Sequence, residues 1–597
     1  MSPIQPSIQE NISVQPAERR KPSVVISVAL LIVIGIGLFR IVSTYHVFNH
    51  TIDEGAHLAC GIQWFQGSYT YDRKHTPIAR ISISLLPYLS GVRGFGNPSF
   101  WEEGALVLST GGRYWHTLTL ARVGILPYFV LAIVVIFLWA RQLYGDATGL
   151  IAAAIFSMLP VVLAHSGLAT TDIPLTACYI IAVYAFTRWL ENPNTRTTVG
   201  FGIATGFALA TKLSTLAFLP ATIIGILPLY LLSTRRNAAG CEEKGWGLGG
   251  VRSLAKAIAI VVVCIFVVIW TSYRFSVAPI KVISTVPDKM AAKVFGRSSS
   301  AARGIRFMDA RVRLPAPELL EGLRELRDIN NTHPRSYLFG RVRDGGWWYF
   351  YPVAIAVKTP LAVLVLAVIG AVWLWIGWFR SRRDWQRAVP IVAFLGPILI
   401  AMPTSLDIGV RHVMPVFAFL SMLAAVGAMR LWEWNGSAAR VWVGRAAVIA
   451  LSAWFVVSSV RAHPDYLSYF NGLGGKHPEN ILVISDVDWG QDFTRLSTYL
   501  RDQQIKHISI AAAHVFDPVA LGFPETEHIP CGATPTGWVA VELRSLLVYP
   551  ECFPWVGQQN LITTVGKTEL IYYVAPAAAG GAGNSAPKAV SPTGAPE

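Results

Sequence analysis

The chain has 597 residues, 53% of them hydrophobic and only 14% charged, with a mean hydropathy of +0.46. Soluble globular chains carry about 25% charge, so a soluble protein is excluded and an integral membrane protein with one or two extramembrane domains is expected. The net charge of +15 reads as topology and attraction to membrane lipids; no zinc-finger spacing, RNA-binding signature or basic helical stripe argues for nucleic acid.

In chain order, residues 1–23 are polar, end in Glu18-Arg19-Arg20-Lys21 and are expected to form a disordered cytoplasmic tail. The apolar run 24–42 lacks a small-x-small cleavage site after it, which makes it a retained signal-anchor helix. Next comes His50-Thr51-Ile52-Asp53-Glu54-Gly55-Ala56-His57, then Arg73-Lys74-His75-Thr76-Pro77. Two acids, three histidines and a basic pair on one loop beside a membrane wall point to half of an active site.

Further apolar runs lie near 118–140, 150–166, 171–189, 198–215, 216–233, 253–272, 351–379, 388–405, 409–430 and 439–460. Each is of spanning length, so about eleven transmembrane helices are expected within a membrane domain of 24–460. With the N-terminus cytoplasmic, every inside connection is basic: Arg141; Arg188 and Arg196; Arg235 to Lys256; Arg380 to Arg387; Arg430 to Arg445. An odd count puts the C-terminus outside.

Three long segments then face outward: 43–117, 273–350 and the region after 461. In the second, Leu319 to Leu326 has the spacing of an amphipathic helix suited to the bilayer surface. The third alternates an expected strand at Ile481–Ile484, a helix from Asp492 and a strand at Ile508–Ala511. That pattern predicts a small extracytoplasmic α/β domain over 461–574, with a disordered Ala/Gly/Pro tail over 575–597. Cys531 and Cys552 sit close together there; if the region lies outside the cytoplasm, a disulfide is expected, the alternative being two unpaired thiols. Cys60, Cys178, Cys241 and Cys264 have no metal-ligand spacing.

Ionisable residues at membrane depth are costly and default to functional hypotheses. By this topology Asp53, Glu54, His165, Asp172, Lys212, Lys358, Asp407, Arg411 and His412 all fall at the outer ends of helices, in an outward-facing polar cavity. Carboxylates serve as general bases, and Lys, Arg and His hold phosphate oxygens. Such a cavity suits transfer of a group from a lipid phosphate. No Walker-type loop or Gly-x-Ser-x-Gly elbow is present. Histidines and acids leave room for a divalent metal, but no ligand spacing names one. Each candidate has a structural alternative: Asp53 and Glu54 as caps of a helix starting at Gly55, Asp172 as a cap with Pro174 in the first turn, Lys212 snorkelling to the interface.

The first loop, Asp53-Glu54-Gly55-Ala56-His57 through His75-Thr76-Pro77-Ile78-Ala79, resembles membrane glycosyltransferases of the GT-C class, the group that contains protein O-mannosyltransferases and aminoarabinose transferases (glycosyltransferase 39-like). His165 to Asp172, Gly206 to Lys212, Ile408 to Pro415, Tyr469-Phe470-Asn471 and Asp486 to Asp492 are further matches in the same order. The resemblance implies an all-α polytopic membrane domain of GT-C type. It also implies a polyprenyl-phosphate-sugar donor and inverting transfer to an extracytoplasmic protein, lipid or glycan acceptor, in a bacterial inner membrane. Asp53 matches the catalytic base, Glu54 its neighbour and Asp172 a second acid. Lys74, His75 and Arg411 match donor-phosphate contacts. Thr76 stands where relatives carry proline, and His412 where they carry tyrosine. His57, His165, Lys212, His412, Asp488, Trp489 and Gln491 are substrate-binding candidates. A transporter or flippase, or a non-catalytic binder of lipid-linked sugar, is the competing class; it predicts broken helices near the bilayer midplane.

Overall fold

A computed structural model describes residues 22–238, 250–279, 313–381 and 384–576. Cys241 and all but the inner two residues of each expected tail, 1–23 and 575–597, lie outside the described residues. Among the described residues, seven helices are long and apolar enough to cross a membrane: Val24–Val42, Tyr114–Tyr144, Asp172–Glu191, Thr215–Thr234, Gly250–Ser272, Leu361–Arg380 and Ala438–Arg461. An eighth forms if Asp146–Met158 and Pro160–Ser166, bent by 64° at their junction, are one span. Leu159 is extended at that bend because the following Pro160 disfavours the helical conformation. Three helices of 17 residues, Thr195–Thr211, Trp385–Ala401 and Val416–Trp432, occupy the remaining expected positions. All eleven positions are therefore helical, but these three fall short of the ~20 residues a bilayer needs.

Two expected spans are redrawn. The run 351–379 breaks at Thr359-Pro360 into Phe350–Lys358 and Leu361–Ser381, again before a proline, so Lys358 ends a short separate helix. The run 409–430 becomes helical only at Val416, after a short 3-10 turn at Val410–Val413.

At one end of the bundle three segments pack together. The first contributes the helices Ile52–Phe65, Pro77–Leu89 and Phe100–Ser109. Ile52–Phe65 and Phe100–Ser109 cross at Gly55 and Gly104, where any side chain on Gly104 would strike the Gly55 backbone. The second contributes the short hairpins β1–β2 (Val277–Pro279 with Arg313–Pro315) and β3–β4 (Arg335–Leu338 with Arg341–Asp344), and the amphipathic helix Pro317–Asn331. That helix packs on the first segment: Gly322 abuts the Arg73 carbonyl, Glu321 pairs with Arg73, and Glu325 accepts the Lys74 N–H at 3.1 Å.

The third segment forms a small sheet domain. Its strands are β5 (His507–Ala511), β6 (Glu525–His528), β7 (Gly537–Glu542), β8 (Thr563–Val565) and β9 (Glu569–Val574), ordered β6-β5-β7-β9-β8. The β5 strand pairs parallel with β6 and β7, while β9 is antiparallel to β7 and β8. The expected helix is present at Phe493–Asp502. The expected strand at Ile481–Ile484 is not; it enters a buried turn in which Val483 O accepts the N–H groups of Asp486, Val487 and Asp488. Cys531 and Cys552 form a disulfide, 21 residues apart. Closing a loop of that size restricts the unfolded chain, so replacing both cysteines by serine is expected to lower stability to denaturant by about 3 kcal/mol. An unchanged midpoint would count against that role.

Candidate active site

The Ile52–Phe65 helix starts three residues before Gly55, with Thr51 at its N-cap, so Asp53 and Glu54 lie inside it rather than capping a helix that begins at Gly55. Glu54, at its third position, accepts the Thr51 N–H at 2.8 Å. It also accepts the Ala169 N–H at 2.8 Å and the Arg122 guanidinium at 2.8 and 3.0 Å, with both side chains 1% exposed. Burial works to raise the Glu54 carboxyl, and Arg122 overcomes it and holds it below its ordinary value. Arg122 reaches on to the carbonyls of Tyr45, Phe48 and Asn49. Glu54, a catalytic candidate on sequence, is thus fully engaged in tying the first loop to the bundle.

Asp53 points elsewhere. Its Oδ2 receives Arg411 Nη1 at 2.8 Å, and both side chains keep partial access to solvent. Arg411 stands on the 3-10 turn that follows Gly409, where φ is +100° and a side chain would meet Ser485 and Asp486. Its guanidinium lies 4.0 Å from the centroid of the Trp489 ring, and its Nε donates to Ser485 Oγ at 3.2 Å. The Trp489 ring also neighbours His165, 5.9 Å between rings. His165 Nδ1 is 3.9 Å from Asp172, too far for a hydrogen bond, and is buried without a partner. Asp172 in turn receives Lys212 Nζ at 2.6 Å and Thr170 Oγ1 at 3.3 Å. A continuous series, Asp53–Arg411–Trp489–His165–Asp172–Lys212, is thereby assembled from five segments of the chain. His412, beside Arg411, packs its ring on Tyr351 and Phe218, with Nδ1 unpartnered.

Four residues after Asp53, on the same helix face, His57 meets a second cluster. Its Nδ1 accepts from Arg80 Nε at 3.2 Å, and its ring packs edge-on to His75 at 5.1 Å. At the centre is Asp72, bonded to Lys74, Arg80 and His75, the last at 3.0 Å. Burial works to raise the Asp72 carboxyl, and His75, Arg80 and Lys74 together hold it well below its usual range. Burial pushes both His57 and His75 down. Lys74 and His75, the expected phosphate contacts, are therefore pre-engaged by Asp72. His50, the third histidine of the loop, bonds Tyr114 OH at 2.6 Å and is lowered to about 4 by burial.

The turn at Asp488-Trp489-Gly490-Gln491 is held from within. Asp488 accepts the Gly490 and Arg544 N–H groups at 3.0 and 2.7 Å, and Gln491 bonds Trp489 N and Val487 O at 2.8 Å each. Asp488 and Gln491 are thus engaged in shaping the turn. Trp489 O accepts the Ile52 N–H at 3.1 Å, which ties the turn to the base of the Asp53 helix. Behind it, Lys358 donates to the carbonyls of Leu467 and Asp486 at 2.6 Å.

Asp407, on the segment leading to Arg411, accepts the Trp347 N–H at 2.7 Å, while its Oδ1 is buried without a partner. Burial raises this carboxyl from 3.8 to about 7, against the pull of that N–H. The folded-state value lies above the unfolded one, so its stabilising contribution is full below pH 3.8 and is lost as pH rises towards 7. After correction for intrinsic exchange rates, amides of 402–415 should be less protected at about pH 8 than at about pH 5, with Asp407→Asn removing the difference. Equal protection at both pH values in the unaltered protein would contradict this.

Asp72, Arg80, Arg122 and Ser485 were not singled out by sequence reasoning. Arg122 carried a usable signal, a lone arginine inside an apolar run; Asp72 directly precedes Arg73-Lys74-His75. Among the described residues no group of three or more His, Cys, Asp or Glu is arranged to hold a metal ion.

With seven or eight membrane-length helices among the described residues, and acids and cations gathered at one end of the bundle, the chain is an integral membrane protein with a polar site at its helix ends. Residues 121–270, which include His165, Asp172 and Lys212, match the family model described as dolichyl-phosphate-mannose-protein mannosyltransferase. The match is confined to that stretch, so the chain is similar to this family over those residues. Similar solved structures include ArnT from Cupriavidus metallidurans bound to undecaprenyl phosphate, at 11% identity and a TM-score of 0.43, covering 91% of this chain and 97% of that one. The archaeal oligosaccharyltransferase AglB from Archaeoglobus fulgidus, in complex with an inhibitory peptide and a dolichol-phosphate, aligns at 12% identity and a TM-score of 0.45, covering 88% and 70%. No curated protein matches the chain by sequence.

Proposed function

We propose that this protein transfers a sugar, with inversion, from a polyprenyl-phosphate donor to an acceptor on the extracytoplasmic face of a bacterial inner membrane. The observation that carries the reading is the Asp53–Arg411 pair, 2.8 Å apart and backed by Trp489. Asp53 takes the proton of the acceptor hydroxyl. The acceptor oxygen forms a bond to the anomeric carbon from the face opposite the phosphate. The bond from that carbon to the phosphate oxygen breaks, and its electrons leave with the lipid phosphate. Arg411 holds the charge that develops there. With donor absent, Arg411 occupies Asp53; a phosphate competing for the guanidinium frees the carboxylate as the reaction begins. Asp172, held by Lys212, carries the second acid of the site.

Orientation is supported by where the charges lie. Asp172 and Arg122 stand at the site end of their helices, while Arg188 and Arg141 stand at the far end. There Tyr144 bonds the Arg387 carbonyl at 2.6 Å. A basic far end is the cytoplasmic one.

The test is consumption of a labelled polyprenyl-phosphate sugar by the purified protein in liposomes, with release of polyprenyl phosphate and appearance of label in acceptor. A donor that is never consumed with protein, lipid or glycan acceptors sinks the reading. Comparison of the glycans of a deletion strain identifies the acceptor.

A further inference from the structure

A groove of about 430 Å³ opens beside the site, between the end of the Ala438–Arg461 helix, Leu361, the 465–478 loop and Lys567 of the sheet domain. It contains none of the residues in the Asp53–Lys212 series. We propose that it binds a membrane lipid through an anionic phosphate headgroup, as a site separate from that of the sugar donor.

One wall is apolar and faces lipid. Trp454, Ser458 and Arg461 line the groove at spacings that put them on one helix face. That helix buries only 17% of its apolar window within the protein, and Trp454, Val457 and Val460 are 48%, 46% and 55% exposed. Trp454 and Tyr469 are the residue types that favour the boundary between acyl chain and headgroup.

The cations are Arg461, at the end of that same helix, and Lys567 of the sheet domain. Arg461 and Lys567 are exposed, and among the described residues neither side chain pairs with an acid. The one acid in the groove, Asp465, is bonded to Arg495 at 2.6 Å. Asn471 is also engaged, its amide donating to the carbonyls of Ala356 and Thr359 at 2.6 Å. The two free charges left facing the groove are thus positive. Apolar surface along the helix with free cations at its end is the order in which an anionic phospholipid presents its own parts.

The groove also touches the machinery of the site. Its loop contains Leu467, whose carbonyl shares the Lys358 ammonium with Asp486; Asp486 accepts the Val410 N–H at 3.1 Å, one residue before Arg411. A lipid seated there braces the loop behind Arg411.

The experiment uses the full chain in detergent micelles titrated with phosphatidylglycerol or phosphatidylcholine, with retained lipid counted by native mass spectrometry. Phosphatidylglycerol is expected to be retained preferentially. The pair Arg461→Gln and Lys567→Gln should weaken it roughly thirtyfold, about fivefold per basic residue at an anionic headgroup. The charge-matched pair Arg501→Gln and Lys506→Gln, on the sheet domain away from the groove, should leave retention unchanged. Thermal midpoints check that both variants fold. The proposal fails if retention shows no preference for phosphatidylglycerol, if the two pairs weaken it equally, or if millimolar inorganic phosphate alone displaces the lipid, which would mark a free-phosphate site.

Discussion

Asp53→Asn is expected to lower sugar transfer about 10²–10⁴-fold while leaving binding of the donor lipid close to normal. The substitution keeps the side chain's size and its ability to accept a hydrogen bond from Arg411, 2.8 Å away, but removes the carboxylate that the proposed reaction uses to take up the acceptor proton. Labelled-donor binding and turnover measured side by side decide the matter. Loss of binding in step with turnover, or a rate within tenfold of normal, would point to a carrier of the lipid-linked sugar.

The largest effect on stability belongs to Arg122. Replacing it by methionine leaves Glu54 buried with two backbone N–H groups and no opposing charge, and breaking such a pair costs about 3–5 kcal/mol. Adding Glu54→Gln should recover a substantial part of that loss, because the unpaired charge is then gone; a double variant as unstable as the single would assign the loss to Arg122's bonds with the 45–49 carbonyls instead. Glu54 is held below its ordinary value of 4.5, so the pair's contribution is present above that pH and fades as the solution is acidified through the folded-state value.

These two neighbours show what was readable in the sequence and what was not. Both acids stood out against an apolar background, as did Asp172, Lys212 and Arg411, because charge is conspicuous beside membrane spans. Their partners were invisible: Arg122 lies 68 residues from Glu54, and Arg411 lies 358 from Asp53. Only the packed bundle decides which acid is neutralised for good and which meets an arginine that a ligand can draw away. Helix positions followed from hydropathy, but their breaks followed from single prolines at 160 and 360, which a windowed reading smooths over. The Ile481–Ile484 run looked like a strand because it is apolar. It is buried, but its neighbouring carbonyls and N–H groups close a turn rather than join a ladder. At Lys74 and His75 the resemblance pointed to phosphate contacts, whereas the local Asp72, two and three residues away, engages both.

The bond between Asn49 and the Gly490 carbonyl closes a separation of 441 residues, and the neighbouring Trp489 is the surface on which Arg411 rests. A chain emerging from the ribosome has its first loop and most of its helices long before that tryptophan exists. Contacts of such long range form late, so the nascent protein passes through insertion before Arg411 has Trp489 to rest on. The Asp53–Arg411–Trp489 arrangement is complete only once the chain beyond residue 490 has been made.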